Sequence, residues 1–217
     1  MREEICQIGK RMYDREFVAA NDGNISVRIS ENEIWTTPTG VSKGFMTPEM
    51  LVKVDLQGKV LEGDSKPSSE LKMHLKVYEE RPEIKAVVHA HPLTATVLAV
   101  AGIPLDQALL PEAIVTLGTV PIAPYATPST EEVPESIASY LKDHNAVLLE
   151  NHGALTWGRD ILEAYYRMET LEFYAKIILT TRMLGQANEL PYDKIAGLLK
   201  IRESMGIVGN IPWPKKN

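Results

Sequence analysis

Cysteine occurs once in 217 residues, at Cys6. An intrachain disulfide is therefore impossible, and a thiolate metal cluster is excluded. Basic excess is lacking too: 23 lysines and arginines against 29 aspartates and glutamates leave a net charge of −6. Nothing in that balance neutralises a phosphodiester backbone, which argues against nonspecific nucleic-acid binding. A small phosphorylated metabolite remains compatible, because it needs only a locally positive site. No apolar run approaches membrane-spanning length and no signal-peptide pattern opens the chain, so the expectation is a cytoplasmic protein without a membrane segment. Internal repeats, low-complexity tracts and a convincing linker are also missing. Residues 1–217 are accordingly expected to form a single domain with a substantial core.

What is present centres on one strand. Ala86-Val87-Val88-His89-Ala90-His91-Pro92 runs three apolar residues into two histidines separated by one alanine. Side chains alternate along a strand, so His89 and His91 project to one side and both imidazoles can reach one cation. A third histidine, His152, follows a second apolar run, Val147-Leu148-Leu149-Glu150-Asn151. Together the three read as a metal site on adjacent strand ends; the competing reading is hydrogen-bonded structural histidines. Three neutral imidazoles leave a divalent ion its full charge and an open position, as a Lewis acid requires. This borderline donor set favours Zn2+, with Mn2+ or Co2+ as alternatives.

Taken in order, Ile5, Ile8, Met12 and Phe17 predict a first helix over about residues 3–19. Asn21-Asp22-Gly23-Asn24 is a turn, residues 25–29 and 33–37 a hairpin, and Pro38 to Gly44 a polar loop. Thr47-Pro48-Glu49 predicts a short helical turn, and residues 52–56 and 59–61 a second hairpin. Helices are expected from Pro67-Ser68-Ser69-Glu70 to Arg81 and over 94–101. A proline-bearing stretch, 103–128, offers only β-like pieces at 113–115 and 120–122. Then come a helix from Ser129-Thr130 to about Lys142, a strand 145–150 with its partner 154–157, the longest helix between Asp160 and Gly185, and a last helix over 192–204. This alternation implies an α/β fold, a mostly antiparallel sheet covered by helices on both faces.

Glu70 falls at an expected helix N-terminus, where unpaired amides favour a carboxylate. Its residue context reads first as a helix-stabilising first turn and second as an acid/base. His74, at i+4 from Glu70, reads as a helix-surface structural histidine, and His144 as a solvated loop residue. Ser68 and Ser69 add hydroxyls to helix N-terminal amides, a site suited to a phosphate dianion. Gly23-Asn24-Ile25-Ser26 and Thr39-Gly40 suit the same task, glycine allowing close backbone approach. Each is equally an ordinary turn.

Six segments occur in a telling order: Gly23-Asn24-Ile25-Ser26, Pro38-Thr39-Gly40, Pro67-Ser68-Ser69-Glu70, Val87-Val88-His89-Ala90-His91, Pro124-Tyr125-Ala126-Thr127 and Asn151-His152-Gly153. As an ordered set the chain resembles the class II aldolase/adducin-head family over roughly residues 5 to 205. The resemblance implies that His89, His91 and His152 are metal ligands, that Glu70 is the catalytic acid/base, and that Asn24, Thr39, Gly40, Ser68 and Ser69 contact phosphate. It implies a three-layer α/β/α sandwich and a homotetramer with active sites between subunits. The implied reaction is reversible cleavage of a ketose 1-phosphate, such as L-fuculose 1-phosphate, into dihydroxyacetone phosphate and an aldehyde. The family also holds L-ribulose-5-phosphate 4-epimerases, dehydratases and decarboxylases with similar metal ligands, and non-catalytic adducin-like interaction domains. Retention of the three histidines and Glu70 weighs against the last.

Two positions where family aldolases carry aldehyde-side tyrosines correspond here to Leu110 and Met205, and Pro128 replaces an aromatic residue. The dihydroxyacetone-phosphate half is thus expected to be retained and the aldehyde half rebuilt. Glu112 is a candidate for the missing acid, and Lys43 for an extra anion contact.

Overall fold

The structure of the protein, a computed structural model, describes residues 1–207. In chain order the strands are β1 (Asn24–Arg28), β2 (Ile34–Thr36), β3 (Val52–Val54), β4 (Val60–Glu62), β5 (Ala86–Ala90), β6 (Ile122–Ala123), β7 (Ala146–Leu149) and β8 (Gly153–Gly158). They form one sheet in the order β4-β3-β2-β1-β5-β8-β7-β6. Neighbours pair antiparallel, except β6 with β7. β5 runs between β1 and β8 with all its residues buried. Coverage on both faces is why it reads as a near-continuous apolar run.

The helices are α1 (Arg2–Asp14), α2 (Leu71–Glu80), α3 (Leu93–Val100), α4 (Pro111–Thr116), α5 (Glu132–Leu141), α6 (Ile161–Leu184) and α7 (Tyr192–Ser204). One face of the sheet packs Val27, Val88 and Leu148 against Ile8 and Met12 of α1, Leu98 of α3, and Met168 and Leu171 of α6. On the other, Val87, Val147 and Leu155 meet Met73 and Val77 of α2 and Ile137 and Leu141 of α5. Three α/β/α layers result, as expected. Alternation along β5 then decides where the chemistry lies. Ala86, Val88 and Ala90 belong to the α1/α3/α6 side and Val87 to the α2/α5 side, so His89 shares the face that α2 covers.

Local signals explain the elements that match expectation. α6 starts at Asp160, whose carboxylate accepts from the Glu163 amide at 2.8 Å, and stops at Gly185 in the left-handed region, φ +80°. Two stretches differ. α1 ends at Asp14 rather than near residue 19: Glu16 takes φ +58°, and Phe17 is buried only after the chain has turned. Residues 113–115 are helical, not β: Pro111 opens α4 and Ile114 packs on Ile195 of α7. A three-residue apolar run is too short for periodicity to separate helix from strand. Among the described residues, no helix is long and apolar enough to cross a membrane.

Candidate active site

Two elements place the carboxylate. β1 presents Asn24, Ser26 and Arg28 at a period of two, while Glu70 and α2 present Glu70, His74 and Tyr78 at a period of four. A strand rises about 6.7 Å over two residues and a helix about 6 Å over four, so the two series stay in step. Asn24 Nδ2 donates to Glu70 Oε2 at 2.9 Å. The Ser26 hydroxyl lies 2.7 Å from His74 Nδ1 and 2.8 Å from the Tyr78 hydroxyl. Arg28 donates to the carbonyls of Tyr78 at 2.7 Å and Pro82 at 3.0 Å. His74 is therefore a buried rung of this ladder, not the surface histidine its spacing predicts. Burial, with the nearby charge of His89, lowers its pKa to about 3 and keeps it neutral.

The three sequence-singled histidines meet. Their ring centroids are 4.8–5.0 Å apart, and one ligand nitrogen from each lies within 4.8 Å of the others. His89 Nδ1 donates to the Ala154 carbonyl at 3.0 Å, and His91 Nδ1 lies 3.5 Å from the Asp22 carboxylate. Acceptors at both Nδ1 atoms turn the Nε2 atoms towards one another, 3.0 Å apart. Three imidazoles with ring nitrogens this close together are the donor set of a divalent cation, so these residues fit a metal. Backbone contacts fix the rings: the His91 amide donates to Phe17 at 2.9 Å, and that of His152 to Leu149 at 3.0 Å, beyond Asn151 at φ +54°.

Glu70 stands against this cluster. Its Oε2 is 3.3 Å from His89 Nε2, and its Oε1 is 3.2 Å from His152 Nε2 but out of line for a hydrogen bond, which leaves that buried oxygen without one. Burial alone would raise its pKa; the charge of His89 and the contacts with both rings instead hold it well below the usual carboxylate range. Conversely, burial lowers the His89 pKa but the Glu70 carboxylate outweighs it, and the net shift is upward. His91, buried and facing the charges of His89 and His152, is lowered to about 3. The carboxylate is thus set where positive charge gathers.

A cavity of about 230 Å³ opens in front of these groups. Asn24, Thr39, Gly40, Ser68 and Ser69 all line it, together with Glu70, His91 and His152; His89 lies wholly buried behind. The Ser68 hydroxyl accepts from the Glu70 amide at 3.3 Å, and the Thr39 amide donates to Lys66 at 3.0 Å. Gly40 has φ +73° with open space where a side chain would point, so its backbone conformation, not crowding, calls for glycine. Asn24 differs from the other four in that its amide nitrogen is engaged by Glu70.

Several expectations are relocated. Ser26 belongs to the ladder and does not line the cavity. His144 is half-buried, its Nδ1 donating to the Thr119 carbonyl at 3.1 Å, rather than solvated. Glu112 is exposed on α4, Leu110 precedes that helix, and Met205 lines a separate cavity with Arg159 and Tyr166. Asp22 and Ser129, read from the sequence only as a turn residue and a helix start, do line this cavity. An Asn-Asp-Gly turn hides a carboxylate that faces the His91 ring; only the fold brings the two together.

The Class II Aldolase and Adducin N-terminal domain family matches residues 3–179. The chain belongs to this family. An L-fuculose phosphate aldolase from Methanococcus maripaludis is 38% identical over 177 residues, covering 80% of this chain and 93% of the relative. A 3-oxo-tetronate 4-phosphate decarboxylase from Haemophilus influenzae is 35% identical over 184 residues, covering 82% of this chain and 87% of the relative. The solved structure of an L-fuculose 1-phosphate aldolase superposes with a TM-score of 0.86 at 32% identity, covering 93% of this chain and 95% of that one. Class II aldolases generally use a divalent metal, and His89, His91 and His152 form a cluster able to hold one.

Proposed function

We propose that the protein is a divalent-metal-dependent aldolase that reversibly cleaves a ketose 1-phosphate, L-fuculose 1-phosphate or a close relative, into dihydroxyacetone phosphate and an aldehyde. The observation that carries this reading is the meeting of Glu70 and three histidine rings at one cavity whose rim is Thr39-Gly40 and Ser68-Ser69. Similarity to L-fuculose phosphate aldolases supports the substrate class. His89, His91 and His152 would hold the ion, and their donor set favours Zn2+, with Mn2+ or Co2+ as alternatives. When bound, the ion supplies positive charge that stabilises the anion left by carbon–carbon cleavage.

The chain's own residues handle position and proton. The Gly40 and Ser69 amides, with the hydroxyls of Thr39, Ser68 and Ser69, hold the phosphate and fix the reacting carbons in register. As the C3–C4 bond breaks, the C4 hydroxyl passes its proton to an acceptor supplied from the neighbouring subunit and becomes the aldehyde, while the bonding pair stays on C3 as an enediolate. Glu70, ionised at rest, takes a proton from water and delivers it to C3 to give dihydroxyacetone phosphate, and removes that proton from C3 in synthesis. Asn24 holds the carboxylate in orientation through Oε2. Leu110 and Met205 have no group to accept the C4 proton, and with Glu112 they line no part of this cavity within one chain. A homotetramer whose neighbouring subunit completes the aldehyde side is therefore part of the reading.

A second reading shares the same anion. Loss of CO2 from a 3-oxo-tetronate 4-phosphate also leaves the enediolate of dihydroxyacetone phosphate, and a relative at 35% identity carries that activity in its name. One assay separates the two. Metal-loaded protein is incubated with a panel of ketose 1-phosphates, 3-oxo-tetronate 4-phosphate and ribulose 5-phosphate. Dihydroxyacetone phosphate with an equimolar aldehyde supports the aldolase. Its release only from the acid, with CO2, replaces it with the decarboxylase, and turnover of ribulose 5-phosphate alone with an epimerase.

A further inference from the structure

Among the described residues, Lys43 is the only lysine or arginine lining this cavity, yet it is 1% exposed. Its ammonium does not project into the open space. Nζ donates to the Asn21 carbonyl at 3.0 Å and to the Val41 carbonyl at 2.6 Å. Those carbonyls belong to two different loops: one leads into Asn24, the other follows directly on Thr39-Gly40. Both loops carry cavity-lining residues, and Lys43 is what joins them at the back.

The base of this side chain is itself fixed. A β-carbon on Gly9 of α1 would come within 2.9 Å of the Lys43 carbonyl oxygen, and one on Gly44 within 2.5 Å of the Tyr13 ring. The backbone at 43–44 therefore sits flush on α1, and glycine on each side permits that approach. A lysine whose base and tip are both held cannot swing to follow a ligand. It sets wall geometry and contributes fixed positive charge to it.

That charge has work to do in this cavity. Asp22 and Glu70 also line it, and two carboxylates repel a phosphate dianion. A cation just behind the wall offsets them at short range, where low dielectric strengthens its field. Burial draws the ammonium's pKa down to about 8, against the pull of Asp22 and Glu70, so it stays mostly protonated at neutral pH.

We propose that Lys43 is a positioning residue for phosphate selectivity: it clamps the Asn21 and Val41 carbonyls together and charges the wall, so that the cavity prefers a phosphorylated ligand to its phosphate-free counterpart. This rests on the phosphate-binding reading given above. The test compares wild type with Lys43→Met and Lys43→Gln, all metal-loaded, by two inhibition constants. One is for inorganic phosphate against the productive substrate, the other for dihydroxyacetone, which lacks the phosphate. The expected result is at least a tenfold weaker phosphate constant in both variants, with the dihydroxyacetone constant changed less than twofold. KM for the phosphorylated substrate should rise with the phosphate constant.

The glutamine variant can still donate hydrogen bonds through its amide but has no charge, so it carries the comparison should the methionine variant fail to fold. An equal loss for both inhibitors would mean general loosening of the site and would overturn the proposal, as would an unchanged phosphate constant. If wild type itself shows no inhibition by phosphate, the phosphate-binding reading fails first, and the role of Lys43 falls with it.

Discussion

Gly153 and His91 approach so closely that only glycine fits between them. A β-carbon at residue 153 would stand 2.5 Å from His91 Cδ2 and 2.6 Å from the Ala90 carbonyl oxygen. The second of these is backbone, which cannot swing aside as a long side chain can. Gly153 also follows His152 directly and pairs with Leu149 across the sheet. One missing side chain thus lets the turn carrying one proposed ligand close on the ring of another.

Gly153→Ala is expected to displace His91 and weaken metal binding by about 10- to 100-fold, as loss of a ligand's support does. Chelator competition measures the affinity, and far-UV circular dichroism checks that the sheet survives. Wild-type affinity in the variant would show that the ring does not depend on this contact.

Glu70→Gln is expected to keep its metal while kcat falls by at least ~10²-fold, the contribution of a positioned acid/base. Asn24→Ala should lower kcat less, because it removes the partner of Oε2 and leaves the carboxylate in place. Metal analysis beside steady-state kinetics gives both numbers. Near-normal turnover in the glutamine variant would take Glu70 out of the reaction.

His74 gives the metal-free protein an acid-sensitive stability. Its folded pKa is about 3 against an ordinary 6.5, so between those values the unfolded chain binds a proton that the folded chain refuses. Stability should therefore fall as pH drops from about 6.5 towards 3, by up to ~1.4 kcal/mol per pH unit for one fully excluded proton. Above that window the effect vanishes. The upward shift at His89 works in the opposite direction and the downward shift at His91 in the same one, which makes a comparison of slopes between wild type and a His74 variant the right measurement. His74→Asn should be less stable at neutral pH, since Ser26 loses its 2.7 Å partner, yet show a shallower acid slope in urea unfolding. Parallel slopes would exclude His74 as the source.

Much of the site could be seen in the chain, because its signals are local. His89 and His91 sit two apart on a strand, and Asp160 and Gly185 mark the ends of α6 with side chain and backbone conformation respectively. The loops of the cavity were visible as turn sequences, and their order along the chain gave the family. What escaped is set by tertiary packing. His74 looks like a surface residue until β1 is laid beside α2 and Ser26 meets its ring. Lys43 reads as a candidate anion contact until Gly9 and Gly44 bring its backbone down onto α1 and its ammonium onto the Asn21 and Val41 carbonyls. Residues 113–115 have β-branched composition but fold as α4, because Pro111 starts the turn and Ile195 receives Ile114. No pattern within those three residues contains that contact.

Central to the proposed function is one proton, carried by Glu70 to and from the hydroxymethyl carbon of dihydroxyacetone phosphate. Exchange of hydrogen at that carbon with solvent deuterium, followed by proton NMR without any aldehyde present, measures it directly. The metal-loaded protein is expected to exchange one of the two hydrogens, and Glu70→Gln to slow the exchange by at least ~10²-fold while keeping its metal. No exchange by the metal-loaded wild type, or exchange that persists in Glu70→Gln, would contradict it.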